Sequence, residues 1–139
     1  MEKKEIMHMK YELTKDLETG NAIIDGEHRE LFRAVNALMD ACSSGKGRSA
    51  IAPTMKFLLD YVDKHFAHEE QLQAKANYPN MTAHKAFHQN YKATLKDLAA
   101  KMPDTPSISD MAKLNNQVAT LVAHIRTEDK RLGQFLSKK

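Results

Sequence analysis

The chain has 139 residues with 21 Lys or Arg against 18 Asp or Glu, a formal charge of +3; that length predicts one domain around a single core. The charges are interspersed, apart from Lys3, Lys4, Lys138 and Lys139 at the termini, which predicts a solvated surface and no nucleic-acid partner. No apolar run approaches the roughly 18 residues that cross a bilayer, mean hydropathy is -0.58, and Cys42 is a lone cysteine behind an N-terminus with no apolar leader, so the expected setting is the cytoplasm, with no membrane contact.

Few glycines, no Trp and an abundance of Leu, Ala, Lys and Met favour helices over strands. After an arm over residues 1–20, apolar residues recur at helical spacing in four segments, at about 22–42, 53–76, 82–102 and 108–136. The loop SSGKGRSAIAP ends near Pro53, a residue suited to the first turn of the second helix. NYPN follows that helix, and its Tyr-Pro step moves Tyr78 out of helical geometry. In MPDTPSISD, Ser107 precedes Asp110 by three residues, a capping arrangement for the fourth helix. Short connections make sequential helices antiparallel neighbours. The predicted fold is therefore all-α, an up-down-up-down antiparallel four-helix bundle with an extended N-terminal arm.

Ionisable groups interrupt each helix's apolar stripe. The first stripe runs Ile24, His28, Leu31, Val35, Leu38, Cys42, and the second runs Leu58, Val62, His65, Glu69, Leu72. The third runs His84, His88, Tyr91, Leu95, Leu98, Met102. The fourth runs Leu114, Val118, Leu121, Ile125, Leu132, with His124 and Asp129 on its edges. A single inward histidine is more often a hydrogen-bonded core residue than a ligand. Five histidines with two carboxylates are a different case: unpaired, each buried group costs several kcal/mol, and too few Arg or Lys point inward to neutralise them. A metal cation supplies the missing positive charge.

Residues four apart on a helix lie about 40° apart, so His65 with Glu69, and His84 with His88, can converge on one ion. His124 and Asp129 are separated by about 140° of ideal helix, and spacing alone makes Glu128 the better companion of His124. Seven donors exceed a tetrahedral zinc site; two ions bridged by the two carboxylates, with three histidines on one and two on the other, account for the number. Imidazole with carboxylate suits iron, manganese, zinc or copper.

Taken together, GNAIIDGEHRELF around His28, HFAHEE with His65 and Glu69, YPNMTAHKAFH with His84 and His88, and HIRTED with His124 and Asp129 resemble the hemerythrin family, in particular its single-domain bacterial members. The resemblance runs from about Leu17 to Phe135, matches seven ligand positions, and implies a centre of two iron ions with an oxo or hydroxo bridge. His84, His88 and His124 would hold one iron, and His28 and His65 the other, which keeps an open position. Glu69 and Asp129 would bridge, so the resemblance favours Asp129 over Glu128. The arm departs from the family at Leu13, where members commonly carry Trp.

The implied activity is reversible binding of dioxygen, as a hydroperoxide at the open iron, for storage, delivery or buffering, and not catalysis. Leu121, Leu31 and Phe66 are candidates for the wall of a dry oxygen pocket. Competing readings are a diiron enzyme acting on peroxide, nitric oxide or ferrous iron, an oxygen or redox sensor module, and a zinc-bound structural bundle. His68 and Glu70 are expected to point away from the centre by rotation, and His8 to lie in the arm without a role. The methionines and Cys42 read as core filling. A monomer is expected, because no helix shows a second apolar stripe.

Overall fold

The computed structural model describes residues 11–138, so His8, Met7, Met9 and the first half of the expected arm lie outside the described residues. The protein is all-helical, with no strand among those residues. Helix α1 spans Ala22–Ser43, α2 Arg48–Ala76 and α3 Met81–Lys101; the fourth segment comprises α4 (Ile108–His124), a single π-helical turn (Ile125–Asp129) and α5 (Lys130–Ser137). Each of the first three helices packs against the next one in the chain.

The helix ends follow local chemistry. Asn21 caps α1 by accepting from the N–H groups of Ile23 and Ile24, and Ser107 with Asp110 forms the expected reciprocal capping box at α4. Asn77 closes α2 in the left-handed conformation, φ 56°, with its N–H bonded back into the last turn.

One boundary differs from expectation: α2 begins at Arg48, and Pro53 sits inside it. The proline removes the N–H that would have bonded the carbonyl of Ser49. That residue is exposed, so water can satisfy its oxygen and the helix continues across the proline.

The apolar core falls into two clusters. The larger contains Leu31, Val35, Leu58, Val62, Phe66, Leu95, Leu114, Val118 and Leu121; the smaller contains Ile24, Tyr78 and Leu132. On α1, His28 lies between Ile24 and Leu31; in the fourth segment, Asp129 lies between Ile125 and Leu132. A polar layer thus separates the clusters.

The α2 stripe also corrects the expectation at its end, since Leu72 is only partly buried while Gln73 is fully buried, its amide without a hydrogen-bond partner. Cys42 is half-buried rather than buried, packed on the rim of the larger cluster with Met39 and Met111.

Residues 11–20 are fastened at both ends. The Tyr11 N–H donates to Asn36 Oδ1 at 2.8 Å and the Asn36 amide donates to the Tyr11 carbonyl at 2.9 Å. Leu13, at the position of the missing Trp, packs partly buried against the larger cluster. The 3-10 turn Lys15–Leu17 buries Leu17. Beyond it, the Thr19 N–H and hydroxyl both donate to Asp25 Oδ1 at 2.8 Å.

Gly133 of α5 lies directly beneath this segment. A Cβ built there would stand 2.6 Å from the Thr19 Cβ and closer still to the Thr19 carbonyl oxygen. Gly133→Ala is therefore expected to lower stability by about 1–3 kcal/mol through overpacking against backbone. Chemical denaturation with the metal-binding state held constant checks this, and an unchanged midpoint would show that the segment yields freely.

Candidate metal centre

The four helical segments bring their ionisable residues to one level of the core. His28 from α1, His65 and Glu69 from α2, His84 and His88 from α3, and His124 and Asp129 from the fourth segment are all buried. Their donor atoms form two groups in which all members lie within 4.8 Å of one another: His28, His65, Glu69 and Asp129, and Glu69, His84, His88, His124 and Asp129. The carboxylates belong to both.

Each carboxylate divides its oxygens between the groups. Glu69 Oε2 lies 3.6 Å from His28 Nε2 and 3.3 Å from His65 Nε2, while its Oε1 lies 3.6 Å from His84 Nε2 and 3.2 Å from His88 Nε2. Asp129 Oδ2 lies 3.1 Å from His28 Nε2, while its Oδ1 lies 2.9 Å from His84 Nε2 and 3.1 Å from His124 Nε2. Each of these five histidines thus presents Nε2 to the interior.

The competition between Glu128 and Asp129 is decided by the π turn. The cap N–H of Lys130 bonds to the carbonyl of Ile125, five residues back, as well as to that of Thr127, which widens the turn by one residue. His124 and Asp129 therefore share a face despite their five-residue spacing. Glu128 is displaced to the rim, paired with exposed Arg131 at 3.1 Å. The turn is braced from outside: Lys130 donates to the Asp16 carbonyl at 3.1 Å, and Arg126 pairs with the Asp16 carboxylate at 3.2 Å.

Aromatic rings close two of the imidazoles. Phe66 stacks on His88 with centroids 3.9 Å apart, and Phe87 stacks on His124 at 3.8 Å. Leu31, Leu121 and Phe66 are buried together in the larger apolar cluster.

Two carboxylates outside the expected set also reach the histidines. Glu27 on α1 accepts from His65 Nδ1 at 2.8 Å and His68 Nδ1 at 2.6 Å, and Glu70 accepts from His88 Nδ1 at 2.9 Å. His68 and Glu70 lie outside both donor groups, as the rotation predicts, but each makes a contact on the outer side of the layer. Both are half-buried beside the stripe, and a long glutamate side chain spans the angle that separates it from the core face. Helical spacing gave no signal for Glu27, because its partners lie on another helix.

The electrostatics show how strongly these groups are coupled. Burial alone would lower the pKa of His65, but the hydrogen bond to Glu27 and the close Glu69 carboxylate outweigh it and raise it to about 10. His84 is raised to about 9, burial again being overcome by Asp129 and Glu69. His28 moves up for the same reason. Burial pushes the Glu69 and Asp129 carboxyls up, and for Asp129 the nearby Glu69 charge adds to it, yet the surrounding histidine nitrogens, close to both, hold them below the ordinary carboxylate range.

The donor set fits metal ions. Nε2 of His28, His65 and His88, both Glu69 oxygens and Asp129 Oδ2 are buried without a hydrogen-bond partner. Nε2 of His84 and His124 stand 2.8 Å apart, close enough that a shared proton or a cation must separate their lone pairs. Buried polar atoms left in that condition cost about 1–3 kcal/mol each, and coordination to cations satisfies them all at once.

Without metal, these protons carry part of the stability. A histidine whose folded pKa is raised stabilises the fold below its unfolded value near 6.5, and that contribution is lost as pH rises through about 9 for His84 and about 10 for His65. The metal-free protein should therefore melt at progressively lower temperature from pH 6.5 to 10, while metal binding, which displaces these protons, should tighten over the same range. Thermal scans with and without chelator check both, and a flat metal-free profile would contradict the coupling.

Comparison with known proteins agrees with this geometry. Residues 19–136 match the family described as hemerythrin HHE cation binding domain. The bacteriohemerythrin of Pseudomonas paraeruginosa is 33% identical over 114 residues, covering 82% of this chain and 73% of that protein. The bacteriohemerythrin of Methylococcus capsulatus is 33% identical over 124 residues, 86% of this chain and 90% of that protein. Myohemerythrin-1 of Phascolopsis gouldii is 32% identical over 107 residues, 76% and 77% of the two chains. Hemerythrin domains bind a diiron centre, and the buried cluster is able to hold metal ions, so two iron ions are the cofactor that family and cluster support together. The chain belongs to the hemerythrin family and carries its HHE cation-binding domain.

Proposed function

We propose that this protein binds dioxygen reversibly at a diiron centre and stores, delivers or buffers it without catalytic turnover. His28 and His65 would hold one iron, His84, His88 and His124 the other, and Glu69 and Asp129 would be shared between them. The observation that carries this reading is the division of each carboxylate's oxygens between the two histidine groups. When bound, the pair of irons supplies the electrons that dioxygen takes up and returns.

The chain's own residues set the conditions. The first group offers two imidazoles and one oxygen from each carboxylate, one protein donor fewer than the second, so an ion held there would have room for a small ligand. Leu31, Leu121 and Phe66 form an apolar wall that keeps water and anions from competing. Tyr91 donates its hydroxyl to the Gln117 carbonyl at 2.8 Å and so offers that wall no free polar group. Five neutral imidazoles against two carboxylates make a donor set of low anionic charge, which gives little support to higher oxidation states and favours release over further reaction.

The surroundings belong to the same proposal. Short loops support the up-down-up-down arrangement with the preceding arm. Among the described residues, the exposed large apolar residues Ile23, Phe57 and Ile108 lie on three different helices, which supports a monomer. The free thiol of Cys42 and the lack, among the described residues, of a helix able to cross a membrane support a cytoplasmic setting.

Anaerobic reduction followed by air should produce a visible absorption band that disappears when oxygen is removed and returns on re-exposure. Direct, irreversible conversion to the diferric form, or steady turnover of peroxide or nitric oxide well above autoxidation, would overturn the proposal. At the residue level, Asp129→Ala should lose most bound iron while Glu128→Ala keeps about two irons per chain by elemental analysis; equal losses would show that the π turn does not select the ligand.

A further inference from the structure

His65 is tied on both sides of its ring. Its Nε2 faces Glu69 at 3.3 Å, and its Nδ1 donates to Glu27 Oε1 at 2.8 Å. The other oxygen of Glu27 accepts from His68 Nδ1 at 2.6 Å, so one carboxylate of α1 spans two histidines of α2. Side-chain exposure rises outward along this path, from 1% at His65 through 25% at Glu27 to 35% at His68. At the same level, the Tyr61 hydroxyl donates to the Glu27 carbonyl at 3.2 Å, which anchors the backbone that carries the carboxylate.

The chemistry of imidazole gives this arrangement a consequence. A neutral ring carries one N–H, and the nitrogen without it donates to a metal. A carboxylate at Nδ1 keeps the proton there and leaves the Nε2 lone pair facing the centre. Glu27 alone, partly exposed and with several rotatable bonds, could turn to water. The His68 contact removes that freedom.

The backing is uneven between the two ions. In the two-histidine group, His28 Nδ1 has no hydrogen-bond partner, so the orientation of that pair rests on His65 and Glu27. In the three-histidine group, His84 Nδ1 likewise lacks a partner, but His88 is backed by Glu70, and His88 and His124 are each stacked face to face on a phenylalanine. That ion also has one more protein donor to share any loss.

We infer that Glu27 is a positioning residue for the two-histidine ion, held in place by His68, so that removing this clamp loosens that ion selectively. The inference rests on the ligand assignment proposed above. A clamp that merely joined α1 to α2 would lower the stability of the metal-free protein and weaken both ions alike.

The test loads wild type, Glu27→Leu, Glu27→Gln, His68→Leu and the surface control Glu30→Gln anaerobically with ferrous iron, then follows release to a chromogenic ferrous chelator alongside metal-free thermal unfolding. In Glu27→Leu one of the two irons should bind about 10–100-fold more weakly, the other keeping its wild-type behaviour. His68→Leu should show a smaller loss of the same ion. Glu27→Gln, which keeps an oxygen able to accept from His65, should recover most of the affinity, and Glu30→Gln should match wild type. Equal weakening of both irons together with a lowered metal-free midpoint, or wild-type release from both Glu27 variants, would overturn the clamp while leaving the ligand assignment intact. Wild-type protein that binds no pair of irons would overturn both.

Discussion

Two carboxylates, Glu69 and Asp129, lie together in the core with no exposure to solvent. Carboxylates that close repel each other, and burial disfavours the charge on each. The rest of the molecule answers that conflict. Five imidazoles surround the pair, each with Nε2 turned inward, and the apolar clusters above and below exclude water from the layer. A bundle is well suited to this, because each helical segment contributes side chains to one level while its own backbone hydrogen bonds remain satisfied.

The π turn shows how a local irregularity serves the centre. An ideal helix would have carried Asp129 around to the side and offered Glu128 instead. One extra residue in the turn brings Asp129 to the face of His124 and leaves Glu128 to an exposed arginine. Such a turn has poorer hydrogen-bond geometry than an α-helix. The Lys15–Leu17 turn packs against it, and it is tied through Arg126 and Lys130 to Asp16, so the residues before α1 help to place a carboxylate far away in the sequence.

Around the inward nitrogens lies a second set of contacts that orients them. Glu27 and Glu70 each hold the outer nitrogen of a histidine, and Phe66 and Phe87 fix two ring planes by stacking. Imidazole is a directional ligand, and a ring rotated from its axis loses its donor. The apolar residues that close the centre therefore also fix its geometry.

Much of this was legible in the sequence. His28, His65, Glu69, His84 and His88 fall on apolar stripes at spacings that an ordinary helix converts directly into a shared face. Helix existence, the Ser107 cap and the turn after α2 follow from equally local rules. What the sequence by itself determined is what depends on helical periodicity and short-range chemistry. Only the tertiary structure decided the π turn that brings Asp129 inward in place of Glu128, the burial of Gln73 rather than Leu72, and the reach of Glu27 to His65 and His68. Each of these depends on a departure from ideal periodicity or on a neighbour in another helix, and a pattern read along one helix contains neither.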